Sequence, residues 1–188
     1  MRRKDREMGK EFAMHIIDNS RYGVISMIDV ENNQPYGVPL SIVRDENNLY
    51  FHSAMDGRKV KILAKNPNVS IAFIGKVKVP ENYTKEELDE ILKDESKSVL
   101  LISSVFTTEY ESAIVNGKVE LVEDEEERIK AMKLICKKYT ETKMDYFDMA
   151  IKAGLKRTNV YRLQIEEISS KRKKYDVNGE EMKWGRME

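Results

Sequence analysis

The chain has 188 residues, 40% of them hydrophobic, which is enough for an ordinary core in one domain with or without an extension. Its 33 basic and 33 acidic residues cancel, so net charge calls for neither nucleic acid nor an anionic membrane as partner. No apolar run approaches the roughly 20 residues that span a bilayer, and the charged start MRRKDREMGK leads into no signal-type apolar segment, so a cytoplasmic protein is expected.

Residues 4–19 carry a helical pattern, with Met8, Phe12, His15, Ile16 and Asn19 along one side, where His15 reads as structural. The pattern then changes to strands. Tyr22 to Val30 and Pro35 to Arg44 are β-branched and apolar, separated by the turn residues ENNQ. After a second turn, DENN, the segment Leu49 to Ser53 completes a predicted three-stranded antiparallel meander, since such short connections cannot support parallel crossovers.

The next stretch, LYFHSAMDGRKVKILAKN from Leu49 to Asn66, carries the strongest chemical signal. Strand periodicity stops at His52, Gly57 supplies a permissive turn, and Val60, Leu63 and Ala64 resume at helical spacing. A helix start offers unpaired N–H groups and partial positive charge, and Arg58, Lys59, Lys61 and Lys65 add full charges, which suits a phosphate. A solvated basic turn is the competing reading. His52 likewise reads either as functional or as a satisfied polar residue.

A fourth strand is predicted over Val69 to Ile74, followed by a helix capped by Thr84 with Glu87 three residues on. Thr107 to Val122 reads as a long fifth strand with a turn or bulge at Asn116-Gly117. Helices follow over 124–139 and 145–154, then a sixth strand over Asn159 to Ile168. The tail 170–188 is polar and disordered by composition, with Trp184 as its one large apolar anchor. The acidic run Glu123 to Glu127 and the basic run Lys171 to Lys174 read as solvated faces or helix ends. The fold class is therefore α+β, mainly β with flanking helices, and six antiparallel strands close most easily as a small barrel.

Several chemistries are excluded directly. GxGxxG, GxxxxGK[ST], HExxH and GxSxG are all absent, and two histidines cannot make a multi-His metal site. Cys136 is the sole cysteine, which rules out an intrachain disulfide or a CxxC site, and its helical context KLICKK favours a structural role.

Three segments in order, YGVISMIDVENNQPYGVPLSIV, LYFHSAMDGRKVKILAKNPNVSIAFIG and FTTEYESAIVNGKVELVED, resemble the pyridoxamine 5′-phosphate oxidase-like split barrel. More narrowly the chain is similar to the 5-nitroimidazole-resistance (Nim) branch. The resemblance implies a split-barrel flavin-binding domain over 1–168; a helical segment inserted at about 80–105 and an extension over 169–188 depart from the family pattern. It implies a homodimer with FMN between subunits and a small-molecule substrate. Val38, Pro39, Leu40 and Ser41 match the strand along the isoalloxazine, with a plain core strand as the other reading. His52, Ser53 and Ala54 match the ribityl and phosphate segment, and Gly57, Arg58 and Lys59 the phosphate clamp. Thr108, Tyr110 and Ser112 match a strand near the flavin at the subunit interface, and either line a pocket or face solvent.

On this resemblance the expected function is an FMN-dependent oxidoreductase acting on a small aromatic or nitro compound, with His52 as substrate contact or proton donor. A non-enzymatic flavin or haem carrier or sensor is the alternative, His52 being the haem-ligand candidate. A true pyridoxamine 5′-phosphate oxidase ranks lower, because the tail RKKYDVNGEEMKWGRME holds no histidine.

Overall fold

Residues 2–184 are described by the structure, a computed structural model. The first half contains β1 (Glu7–Met8), α1 (Lys10–Asn19), β2 (Gly23–Asp29), β3 (Gln34–Leu40), β4 (Val43–Asp45), β5 (Asn48–Ala54), α2 (Arg58–Lys65) and β6 (Asn68–Lys78). The second half contains α3 (Lys85–Leu92), the single turn α4 (Ser98–Leu100), β7 (Glu109–Leu121), α5 (Glu125–Tyr139), α6 (Phe147–Gly154), β8 (Thr158–Gln164) and β9 (Glu167–Lys173). Among the described residues the strands form one nine-stranded sheet in the order β3-β2-β6-β7-β8-β5-β4, with β9 on β7 and β1 on β9.

The α+β antiparallel class is as expected, and the physical basis is alternation. In β2, Gly23, Ile25, Met27 and Asp29 are buried while Ser26 and Ile28 are exposed; in β7, Ala113, Val115, Gly117 and Val119 face inward. Ile25 and Met27 of β2 share a single core cluster with Leu49 and Phe51 of β5, near the far end of the sheet order, so the sheet curls around its core although β3 and β4 do not pair. Burial of each such side chain contributes about 2 kcal/mol. A smaller cluster, Val43, Tyr50, Val122, Ala131, Ile135 and Val160, fixes α5 against the outside of β4, β5 and β8.

β7 is the spine. One edge pairs with β6, and the other is shared: Tyr110 to Asn116 pair with β9, and Val119 to Leu121 with β8. β8 and β9 are one run of chain bent between Gln164 and Glu167. At that bend the Gln164 carbonyl oxygen stands 2.7 Å from where a Cβ on Gly117 would be, which is why glycine occupies the position.

Six expectations change. The first helix begins at Lys10, because Gly9 interrupts the pattern and the preceding residues form a 3-10 turn and β1. Its buried residues are Ala13, Ile16 and Ile17, so His15 and Asn19 lie on the solvent side and His15 is not a core residue. The meander is broken, since β5 pairs with β4 and β8 and not with β3, and three strands, β1, β4 and β9, join the expected six. β7 runs through Asn116-Gly117 without a turn; the bulge lies in β6, between Ile74 and Val77, opposite Tyr110 to Ser112. The described part of the tail is held by buried Tyr175 and Met182, with Trp184 exposed, and Arg172 and Lys173 of the basic run are buried on β9 and not solvated. The capping box of Thr84 and Glu87 on α3 is present as expected.

Candidate functional site

The β5–α2 junction is built by backbone chemistry. β5 ends with Ser53 Oγ–H donating to the Ala54 carbonyl at 2.6 Å, and the chain turns through Gly57 at φ 131°, ψ 171°. That backbone region is reserved for glycine, and nothing lies within 4 Å of where its Cβ would be, so the demand is conformational and not steric. Gly57→Ala is expected to cost about 2 kcal/mol, read as a lowered urea midpoint with unchanged slope.

α2 then starts with no side-chain cap, leaving its first-turn N–H groups open. Its buried residues are Ile62 and Leu63, with Val60 half-buried and Ala64 exposed, a face rotated from the predicted one. The cations differ in their partners. Arg58 lies over the Tyr36 ring, 4.6 Å from its centroid, with Nη2 3.4 Å from Asp29 Oδ2. Lys61 pairs with Asp56 and Lys65 with Glu31. Lys59, half-buried and 6.0 Å from the Phe51 ring centroid, has no carboxylate partner among the described residues, and burial lowers its ammonium pKa. Neighbours on a helix diverge, so Arg58 points to β2 and β3 while Lys59 points to β5.

The contact with Tyr36 brings β3 alongside α2. β3 is an edge strand, hydrogen-bonded to β2 alone among the described residues, and its prolines suit an edge. Val38 and Leu40 pack partly on the core, Pro39 is exposed, and Ser41 follows. The loop beyond is pinned: Ile42 N–H donates to Tyr139 Oη at 2.9 Å, and Lys138 Nζ donates to the carbonyls of Ile17 and Ile42, both at 3.0 Å. Neither Tyr139 nor Lys138 could be assigned to this segment by sequence, since α5 is remote along the chain.

On β5, Ser53 faces inward, while His52 and Ala54 lie on the exposed face. Crowding around the His52 ring, with a smaller contribution from Lys59, holds its pKa below the ordinary value of 6.5. The fold therefore favours the neutral ring and binds fewer protons than the unfolded chain. Stability attached to His52 is complete above about pH 6.5 and is lost on acidification. In His52→Gln the acid-side fall of the thermal midpoint should be shallower, measured by melts across pH.

Thr108, Tyr110 and Ser112 are not brought to this site within one chain. Tyr110 and Ser112 pair with Lys173 and Lys171 at the start of β7. His52 pairs with Val160 of β8, whose Tyr161 lies opposite Leu121 at the other end of β7. Tyr110 to Leu121 is roughly 35 Å of extended strand.

A second concavity lies where α1 hands over to β2, a cavity of about 680 Å³ whose lining includes His15, Tyr22, Val24, Ile74, Lys76 and Glu111. The sequence carries no motif for it. Among the described residues no group of three His, Cys, Asp or Glu is placed to hold a metal ion, and no helix is long and apolar enough to cross a membrane.

A sequence profile of the pyridoxamine 5′-phosphate oxidase family matches residues 10–172. No curated protein matches the chain. A candidate 5-nitroimidazole antibiotic resistance protein of Bacteroides thetaiotaomicron superposes with a TM-score of 0.65 at 25% identity, covering 88% of this chain and 85% of that one. A FAD-binding protein from Mesorhizobium loti gives 0.55 at 19%, covering 89% and 96%. A FAD- and heme-binding protein from Mycobacterium smegmatis gives 0.65 at 15%, covering 89% and 73%.

Proposed function

We propose that this chain, which belongs to the pyridoxamine 5′-phosphate oxidase family, is a homodimeric FMN-dependent oxidoreductase of the cytoplasm that reduces a small aromatic or nitro compound. The observation that carries the phosphate site is Lys59. A half-buried ammonium with no anionic partner among the described residues, beside an uncapped helix N-terminus, is a donor set suited to an anion, and a flavin phosphate supplies close to two negative charges. The unpaired edge of β3 offers backbone groups of Val38 to Ser41 to the polar rim of a flat ring, and Arg58 on Tyr36 joins the two.

When bound, FMN supplies the electron transfer. The chain's residues bind and orient: Gly57 opens the turn, Arg58 and Lys59 hold the phosphate from two directions, and neutral His52, beside Lys59 at the phosphate end, is a group able to give or take a proton. The distance of Thr108, Tyr110 and Ser112 from His52 fits a site completed by a second copy. So does the outer sheet face, where Ile28, Ile74 and Ile114 are 46%, 60% and 43% exposed on adjoining strands among small residues.

Purified protein is expected to be yellow, to bind one FMN per chain by titration, and to run as a dimer in light scattering. Colourless protein that takes up no FMN overturns the reading. A haem carrier is the second reading, favoured by the neutral His52 ring at an open strand face. A Soret band on haem addition that disappears in His52→Ala would establish it.

A further inference from the structure

β3 runs from Tyr36, beside Arg58, toward Leu40, and Pro39 is paired with Val24 of β2. Val24 also lines the 680 Å³ cavity at the end of α1. The strand assigned to the flavin ring therefore ends against that cavity, at the opposite end from the phosphate cations.

The cavity has an apolar wall and a rim of donors. Tyr22 and Ile74 stand 58% and 60% exposed at it, and Ile74 also borders the outer sheet face read above as the contact with a second copy, so the wall is apolar surface that a flat ring shares with that face. The rim is held in place. The Asn19 amide Nδ2 donates to the His15 carbonyl at 2.8 Å and meets His15 Nδ1 at 3.2 Å. Nδ1 is thus the acceptor and, in the neutral ring, Nε2 carries the proton as a donor.

Across the cavity, the β6 bulge sets Lys76. Gly75 sits so close to Glu111 that a Cβ would stand 2.8 Å from the Glu111 Cβ, and Lys76 N–H donates to Glu111 Oε2 at 3.3 Å. A bulge of this kind re-aims a side chain without disturbing the flanking ladder. Arg21 adds a second cation to the lining, so two cations face one carboxylate that already accepts a backbone hydrogen bond.

From this geometry we infer that the cavity is the substrate compartment of the same site and takes a small aromatic acid, its ring against Tyr22, Val24 and Ile74 and its carboxylate among His15 Nε2–H, Arg21 and Lys76. Calling the ligand a substrate rests on the flavin reading; the aromatic-acid site itself does not.

Titration calorimetry with 4-nitrobenzoate and with neutral nitrobenzene tests it. Wild-type protein should prefer the acid by about ten-fold, as charge-assisted hydrogen bonds require. Arg21→Ala with Lys76→Ala should abolish that preference while leaving nitrobenzene binding in place, and His15→Phe should reduce it. Arg21 and Lys76 are exposed, and Lys76→Gln with a thermal melt guards against misfolding. No acid binding by wild type, or an undiminished preference for the acid in the double variant, overturns the inference. In FMN-loaded protein the acid should also perturb the flavin absorption band; binding with no perturbation overturns the substrate assignment. Absence of flavin uptake with the charge-dependent preference intact sinks the flavin reading and supports the cavity as an aromatic-acid site.

Discussion

Replacing Arg58 and Lys59 together by alanine is expected to weaken FMN binding by about 3 kcal/mol, on the order of a hundred-fold in Kd, measured by fluorescence quenching on titration. The loss is partial because the first-turn N–H groups of α2 remain. The two single variants should differ in kind. Arg58 is held by Asp29 and Tyr36, so Arg58→Ala leaves the Asp29 carboxylate without its cation, though still bonded to Asn32, and close to an incoming phosphate. Lys59 has no such partner. Its removal relieves a half-buried charge, so Lys59→Ala should leave the melting temperature of flavin-free protein unchanged or raised while weakening FMN. An unchanged FMN affinity in the double variant would remove the phosphate from this place.

Gly117→Ala is expected to destabilise the protein by about 3 kcal/mol, the upper part of the range for overpacking, because the atom in the way is a main-chain oxygen. A flexible side chain could swing aside, but the Gln164 carbonyl belongs to the bend where β7 changes partners, and moving it disturbs the pairing of both β8 and β9. Urea unfolding checks this. Gly154→Ala is the control, since nothing lies within 4 Å of its Cβ position and alanine is the better helix former. Comparable losses at both positions would show that close approach is not the reason for the glycine at 117.

Local chemistry was legible in the sequence. Strand alternation in Gly23–Asp29, the glycine turn into α2 and the Thr84 cap all depend on a few adjacent residues. What was hidden depends on remote partners. The break between β3 and β4 carries no turn motif of its own; Tyr139 and Lys138 hold Ile42 there from α5. The tail reads as polar, yet Arg6 pairs with Glu181 and Tyr175 Oη–H donates to the Ser103 carbonyl at 2.8 Å, contacts that no window along the chain contains. In α1, Ala13 and Ile17 take the buried side, a small rotation that moves His15 from the core to a cavity rim. Arg58 and Lys59 were legible as cations but not as diverging ones, since direction is set by what β2, β3 and β5 present to the helix.

The shared edge of β7 also bears on synthesis. β6 precedes β7 and can pair with it at once, but the other edge waits for β8 and β9, which emerge from the ribosome only after α5 and α6. For that interval the nascent chain presents a long strand with an open hydrogen-bonding edge and the inward row Ala113, Val115 and Val119, a template for pairing between neighbouring chains. Stop codons placed between β7 and β8 should therefore yield aggregates that co-sediment with full-length protein, and a chaperone that shields exposed strands should engage this chain late in translation.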